Sequence, residues 1–295
     1  MKLLECVPNF SEGKNKEVVE RIAAAAASVE GVRLLDRSMD PDHHRSVITF
    51  IGPPEAVLAG AMNACGTALS LIDMKTHIGC HPRIGAVDVV PFVALKGTDM
   101  ADAVSIAHRF GRLFAETHNV PVYFYGEAAL LPERRDLPAL RRGGYECLEE
   151  RLGEACWAPD AGPSCFNERC GATAVGARKI LVAFNVNLKT GNLKAAKEIA
   201  SRIREAGGGL RDLRAIGVPL ASRGIVQVSM NLVDYEVTSM KAAFDAVSEE
   251  ASRRGIAILE SELIGLIPKA ALKDTTPEYL KLAGFGPAKI LENHL

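Results

Sequence analysis

The sequence of 295 residues has no apolar run approaching the ~20 residues that cross a bilayer, so we expect no membrane-spanning helix. It also has no surplus of cations, because 35 Lys and Arg stand against 36 Asp and Glu. A net charge of −1 argues against non-specific nucleic-acid binding, which depends on the release of counterions by clustered cations. Aromatic residues are few, at 5%, but apolar residues make up 48%, enough for a large core. We therefore expect a compact globular protein that binds neither nucleic acid nor membranes.

Cysteine is present but forms no recognisable pattern. Seven cysteines are an odd number, and Cys156, Cys165 and Cys170 have spacings that no standard zinc motif shows. Glu5 interrupts the apolar stretch that an export signal would need, so we expect no signal peptide. Reduced thiols and a cytoplasmic location follow from these two expectations.

The second half of the chain reads as a β-α-β-β-α-β unit, the ferredoxin-like arrangement. Val226, Val228 and Met230 alternate with polar residues, as in a strand that is covered on one face. Glycine follows both helices, where a helix commonly ends. Strands are predicted at 180–188, 213–219, 224–232 and 256–267, and helices at 193–206 and 239–254.

The first half repeats this order approximately and ends in a Gly- and Pro-rich segment, 126–178, predicted as loop. We therefore predict an α/β (α+β) protein of two ferredoxin-like-related β-α-β-β-α-β subdomains, 1–178 and 179–295. Mixed or antiparallel sheets should carry helices on one face. Strands are predicted at 3–7, 32–37, 46–51, 84–93 and 121–125, and helices at 16–28, 55–70 and 99–117.

Histidines concentrate in two loops of the first half. His43 and His44 lie in the polar turn Asp40–Arg45 between two strands, while His77 and His81 lie in the segment Met74–Gly85. Loops held by rigid strands commonly carry reactive groups. Several imidazoles close to Asp42, Arg45 and Arg83 in sequence therefore indicate a candidate acid–base or binding site.

A metal site is the alternative interpretation of these loops. His77 and His81 are four residues apart, a spacing that suits zinc if both lie on one helix. Gly79 between them and Pro82 after them argue against a helix, because the residue before a proline favours an extended backbone. Cys80 can still serve as a thiolate ligand, so a metal-dependent hydrolase stays an alternative, although we expect no metal.

A second candidate segment, Asp160–Thr173, is rich in turn formers and small residues. It contains no Walker or dinucleotide fingerprint, because Gly171–Gly176 lacks the Lys-Ser/Thr ending and leads into a strand instead of a helix. Two interpretations remain open on pattern alone: a connecting loop, or a segment whose backbone approaches a flat ligand.

Taken together, these stretches resemble the formiminotransferase family over about residues 1–270. The resemblance implies transfer of a formimino group from N-formimino-L-glutamate to tetrahydrofolate as co-substrate, in a cleft between two α/β subdomains of a homodimer. Relatives usually carry a basic residue where this chain has Ile78, an acid in place of Cys80, and asparagine in place of His44. The matching segments are Glu5–Gly13, Arg45–Gly52, His81–Asp88, Val122–Ala129, Gly171–Lys179 and Ser229–Leu232.

The resemblance also implies site residues. His81 is the expected catalytic base, and from loop position we predict Asp42 to orient or polarise it. Arg45 or Arg83 would hold a substrate carboxylate through a two-pronged contact, and His77 is a further expected substrate or folate contact. The loop expected to contact folate consists of Gly162, Pro163, Ser164, Cys165, Phe166, Asn167, Glu168, Arg169, Cys170 and Gly171.

Two other functions fit the same residues. One is formyl transfer between 5-formyltetrahydrofolate and glutamate. A formyl group differs from a formimino group by one heteroatom, and Ile78 and Cys80 would then mark the change of substrate. The other is folate binding without transfer, against which the intact segment His81–Arg83 argues.

Overall fold

The computed structural model describes residues 2–295 and divides into two compact units, one ending at Arg178 and the other beginning at Lys179. No helix within the described residues is long and apolar enough to span a membrane. The helices are α1 (Lys16–Ala27), α2 (Pro54–Leu71), α3 (Met100–His118), α4 (Leu137–Leu140), α5 (Leu148–Leu152), α6 (Leu193–Ile203) and α7 (Met240–Ser252). The strands are β1 (Leu4–Cys6), β2 (Asn9–Phe10), β3 (Arg33–Asp40), β4 (Arg45–Gly52), β5 (Val87–Ala94), β6 (Val122–Gly126), β7 (Thr173–Ala177), β8 (Val182–Leu188), β9 (Leu213–Leu220), β10 (Ile225–Leu232) and β11 (Ile258–Ile264).

The second unit is built on a four-stranded antiparallel sheet in the order β11-β8-β10-β9. This order, with α6 after β8 and α7 after β10, is the predicted β-α-β-β-α-β arrangement. Asn192 caps α6 by accepting the Ala195 N–H at 3.2 Å. The helix then packs its apolar stripe, including Ile199 and Ile203, on the face of the sheet that carries Phe184 and Val228.

The first unit contains the same plan and extends it. β1 and β2 both lie between β4 and β5, and β3 lies outside β4, all antiparallel. Beyond β5 the sheet continues with β7 and then β6, both parallel. Residues 126–178 are predicted as loop, whereas Thr173–Ala177 within this segment form a buried strand. Its small residues lack the bulky side chains by which strands are recognised.

Each face of the first sheet has its own cover. Helices α1 to α3 pack on one face, around Phe10, Phe50 and Phe92. On the opposite face, the short helices α4 and α5 pack Leu140 and Leu148, among others, against tyrosines of β6. The predicted single helical layer therefore describes α1 to α3, and the segment predicted only as loop supplies a second layer.

An ion pair fastens that second layer to the sheet. Arg134 Nη1 donates to Asp160 Oδ1 at 2.6 Å, and both side chains are only 6% exposed. The other oxygen of Asp160 accepts the Phe124 N–H at 2.7 Å. The segment between β6 and β7 is thus tied to the middle of β6 at a fixed place.

Candidate active site

The two histidine-bearing loops of the first unit lie against each other. The Cys80 N–H donates to the carbonyl of Asp42 at 3.4 Å, and the His44 Nδ1–H donates to the carbonyl of Ile78 at 2.7 Å. A Cβ at Gly79 would come within 2.5 Å of the His43 carbonyl oxygen, so glycine is required for this approach. The loops therefore bring four imidazoles into one cluster.

His77 is held inside the cluster by both of its ring nitrogens. Its Nε2 donates to the His44 carbonyl at 2.9 Å, and its Nδ1 accepts from Arg83 Nε at 3.1 Å. The side chain is buried, and its ring stacks on that of His44 with centroids 4.2 Å apart. The backbone at His77 is extended, so the helix needed by the zinc interpretation does not form. These bonds fix the His77 ring between the two loops, and its contact with substrate or folate stays a prediction.

His81 is largely surrounded by protein but keeps partial access to solvent, and one of its ring nitrogens is free for chemistry. Its Nδ1 lies 2.8 Å from the Pro82 carbonyl, which can only accept, so Nδ1 carries the proton and Nε2 is the basic atom of the neutral ring. Burial, followed by the charges of Arg45 and Arg141, holds the pKa of His81 well below its usual value. His81 is therefore a neutral base near pH 7.

The orienting group of His81 is a carbonyl, not a carboxylate. Pro82 supplies that bond, and the charges with the largest effect on the pKa of His81 are those of Arg45 and Arg141. The backbone carbonyl of Asp42 instead helps to join the two loops. The predicted orienting role of Asp42 thus receives no support from these contacts.

His43 is the neighbour that sequence reasoning noted without giving it a role. Its ring centroid is 5.7 Å from that of His81, and its side chain is buried. Its Nε2 is sealed from solvent and has no hydrogen-bond partner, which is uncommon for a buried polar atom. The site therefore contains a second imidazole nitrogen that nothing in the described residues satisfies.

A buried cluster of charges lies beside His81. Arg45 donates from Nη1 to Asp88 at 2.5 Å and from Nη2 to Asn9 at 2.8 Å. Arg141 donates to the same carboxylate through Nε and Nη2, and Asp88 is fully buried. Alternation along β4 places Arg45 on the face opposite Ile48, away from helices α1 to α3. The cluster thus combines two guanidinium groups with one carboxylate.

Arg83 holds the His77–His81 loop in place through contacts within the protein. It forms a two-pronged ion pair with Glu146, at 2.8 and 2.6 Å, in addition to its bond to His77. Its side chain is buried while that of Glu146 is largely exposed. Of the two arginines predicted to hold a substrate carboxylate, Arg83 is therefore already paired with a protein carboxylate.

The segment Gly162–Gly171 is irregular, as predicted. Gly171 has φ of +69°, and a Cβ there would lie 2.2 Å from the Ile84 carbonyl oxygen, so glycine lets the segment end against the His81 loop. Cys170 is buried in the core beneath α1 to α3, which argues against its predicted contact with folate. Arg169 Nη2 donates to the Ser70 carbonyl at 2.7 Å. The exposed members are Gly162, Ser164, Cys165, Glu168 and Arg169.

Sequence reasoning missed Arg141 and Glu146 and gave no role to Asp88. Asp88 did leave a signal, because a carboxylate inside the apolar strand 84–93 must find buried partners. Arg141 and Glu146 left none, since they lie in a polar segment without periodicity.

Within residues 2–295, no group of three or more His, Cys, Asp or Glu side chains is arranged to hold a metal ion.

A neutral imidazole flanked by buried guanidinium groups defines an acid–base site suited to an anionic substrate. Residues 3–178 match the N-terminal subdomain of the formiminotransferase domain, and residues 183–285 match the formiminotransferase domain. The chain belongs to the formiminotransferase family.

Curated relatives extend this similarity over the whole chain. A glutamate formimidoyltransferase of Thermoplasma acidophilum is 45% identical over 100% of this chain and 98% of its own length. One of Streptococcus pyogenes serotype M1 is 44% identical over 100% of this chain and 99% of its own. A formimidoyltransferase-cyclodeaminase of Rattus norvegicus is 46% identical over 94% of this chain, which spans only 52% of that longer protein.

Proposed function

We propose that this chain transfers the formimino group of N-formimino-L-glutamate to N5 of tetrahydrofolate, the activity of a glutamate formiminotransferase. The observation that carries the proposal is the full-length similarity to two proteins named for this reaction. The residues of the His81 site supply the proton chemistry that such a transfer needs.

The reaction moves one proton between two nitrogens. N5 of the folate, a secondary amine, attacks the amidine carbon of the formimino group and becomes positively charged. His81 Nε2 takes the N5 proton and returns it to the glutamate nitrogen. The bond between that nitrogen and the formimino carbon then breaks and releases glutamate. A neutral His81 with Nδ1 bonded to Pro82 can accept the N5 proton at Nε2, and its lowered pKa favours release of that proton to the glutamate nitrogen.

Folate binding is assigned to the exposed part of the segment Gly162–Gly171. Ser164 and Cys165 are exposed there, and Phe166 packs beside Tyr145 with ring centroids 5.4 Å apart. This part of the segment presents backbone and small side chains to a flat ligand. Its neighbours Asn167 and Gly171 are bonded to each other through the backbone at 2.7 Å, which keeps the turn in place.

We further infer that the enzyme works as a homodimer in the cytoplasm. All seven cysteines are free thiols, as expected in a reducing compartment. The dimer is carried over from the family resemblance, and light scattering on the purified protein tests it.

One coupled assay tests the function. The protein is mixed with tetrahydrofolate and formiminoglutamate, and in parallel 5-formyltetrahydrofolate is mixed with glutamate. We expect 5-formiminotetrahydrofolate to form in the first mixture and little transfer in the second. Faster transfer in the second mixture would reassign the enzyme to formyl transfer. Tight folate binding without transfer in either mixture would make the chain a folate-binding protein.

A further inference from the structure

The charge cluster of Arg45, Asp88 and Arg141 holds more positive than negative charge beside the proposed base. We propose that Arg141 docks the α-carboxylate of the formimino donor and so selects N-formimino α-amino acids as substrates. The inference rests on the proposed function and adds a specificity residue to it.

The buried charges of Arg45, Arg141 and Asp88 do not balance. Two guanidinium groups share the single carboxylate of Asp88, and the side chains of Arg45 and Arg141 are only 10% and 11% exposed. The other partner of Arg45 is Asn9, a neutral amide. Burial lowers the pKa of Arg45 to about 10 despite the neighbouring Asp88. A buried excess of positive charge is costly unless an anion completes it.

Asp88 does not use every hydrogen-bond donor of the Arg141 side chain. Arg141 donates from Nε to Oδ1 of Asp88 and from Nη2 to Oδ2. Oδ1 also accepts the Ile84 N–H at 3.0 Å. Nη1 of Arg141 bonds to nothing within residues 2–295 and is not among the buried atoms without a partner, so it reaches solvent. Asp88 therefore fixes one edge of the guanidinium plane and leaves Nη1 for a ligand oxygen.

The substrates offer several carboxylates, and one of them lies close to the reacting carbon. In formiminoglutamate, the α-carboxylate carbon is only three covalent bonds from the formimino carbon that reacts. The carboxylates of folate lie beyond the p-aminobenzoyl group, far from N5. Asp88, the partner of Arg141, also accepts the N–H of Ile84, three residues after His81, at 3.0 Å. The charge of Arg141 accordingly lowers the pKa of the His81 imidazole. A carboxylate held beside the proton-transfer group is therefore the α-carboxylate of the donor.

The experiment compares two donors on matched variants. N-formimino-L-glutamate is tested against N-formimino-4-aminobutyrate, which keeps the distal carboxylate and lacks the α-carboxylate. The variant is Arg141→Gln, and the control is Arg142→Gln, the exposed cation next along the chain. We measure kcat/KM for both donors at saturating tetrahydrofolate, and the KM for tetrahydrofolate.

We expect the wild type to prefer formiminoglutamate by about 10- to 100-fold, the worth of one charge-assisted hydrogen bond. Arg141→Gln should reduce this preference to nearly onefold and leave the KM for tetrahydrofolate within about twofold, whereas Arg142→Gln should change neither. A preference that survives in Arg141→Gln, or a KM change confined to tetrahydrofolate, would overturn the inference.

Two checks keep the outcomes distinct. Circular dichroism and Tm establish that Arg141→Gln is folded, and Arg141→Met is the second neutral variant if it is not. A wild type that transfers nothing from either donor contradicts the proposed function itself. A wild type that transfers from both donors equally well contradicts only the docking role of Arg141.

Discussion

The two units share one β-α-β-β-α-β plan but carry different chemistry on the face opposite their main helices. In the first unit that face holds guanidinium groups around Asp88, beside His81. In the second unit the corresponding face holds buried amides together with carboxylates, where Asn187 donates to Glu262 at 2.6 Å and Gln227 donates to Asn187 at 2.9 Å. The guanidinium that pairs with these carboxylates, that of Arg223, is 43% exposed instead of buried. The plan fixes the sheet order, and the side chains of this face decide what each unit does.

The loops explain why the base lies in the first unit. There the β3–β4 turn and the loop before β5 lie against each other, with Gly79 allowing the contact. In the second unit the corresponding turn between β9 and β10, residues 221–224, is as long as the β3–β4 turn, residues 41–44, but it carries no histidine. The connection before β5, residues 72–86, is longer than the one before β11, residues 253–257, and it carries His77 and His81.

Removing the imidazole of His81 is expected to have the largest effect. His81→Ala should lower kcat by about 10²- to 10⁴-fold, the usual contribution of a positioned proton-transfer group. The matched control is His294→Ala in the second unit, where the partly exposed ring bonds to the Ala288 carbonyl and near-normal turnover is expected. The measurement is steady-state turnover with Tm as the folding check. Near-normal turnover in a folded His81→Ala protein would remove His81 from the mechanism.

Asp160→Asn is expected to have the largest effect on stability. The substitution removes one charge of a pair whose side chains are both 6% exposed and leaves the Arg134 guanidinium buried without its anion. We expect a loss of about 3–5 kcal/mol in the free energy of unfolding, measured by urea denaturation. Activity should fall together with stability, since this pair fastens the segment that carries Arg141 and Tyr145. A loss below about 1 kcal/mol would show that the second layer does not depend on the pair.

Periodicity and resemblance predicted most of the scaffold. Every long helix and nearly every strand was found, because alternation in strands such as β10 and apolar stripes in helices such as α6 are local signals. Strand β7 was missed because its small residues give no such signal. The family to which the chain belongs was also predicted from its motifs.

Partners within the site could not be predicted, because they are chosen by tertiary contacts. Arg83 and Arg45 looked equivalent in sequence, yet Arg83 pairs with Glu146, 63 residues away. Arg141 reaches Asp88 across 53 residues. The bond from His81 Nδ1 to the Pro82 carbonyl was not predicted, and the orienting or polarising role of Asp42 stays a prediction.

Two buried glutamates sharpen the comparison through pH. Burial raises the pKa of Glu5, in the first unit, from 4.5 to about 7, with Arg178 offsetting part of the effect. The folded state therefore binds this proton more tightly, and the free energy of unfolding should fall by about 3 kcal/mol as pH rises from about 4.5 to about 7. Glu250, in the second unit, is bonded to Arg254 at 2.5 Å, which lowers the pKa of the carboxyl. The contribution of Glu250 to the free energy of unfolding is present above the pKa that this carboxyl has in the unfolded chain, and it is lost on acidification.

The test is urea denaturation across pH for Glu5→Gln and Glu250→Gln. Glu5→Gln should reduce the fall in the free energy of unfolding between about pH 4.5 and about pH 7. Glu250→Gln should reduce the fall that occurs on acidification. If Glu5→Gln left the decline unchanged, the carboxyl of Glu5 would not be the group that titrates.

Asp234→Asn is expected to have the smallest effect and is the counterpart of Asp160→Asn. Asp234 accepts from Lys179 Nζ at 2.7 Å, but the lysine side chain is 68% exposed, so water and salt screen the pair. The asparagine keeps an oxygen for the Glu236 N–H, which Asp234 accepts at 3.0 Å. We expect a loss of at most about 1 kcal/mol in the free energy of unfolding, which vanishes in high salt. A loss as large as that of Asp160→Asn, or one that salt does not reduce, would show that ion pairs in the second unit are as structural as those in the first.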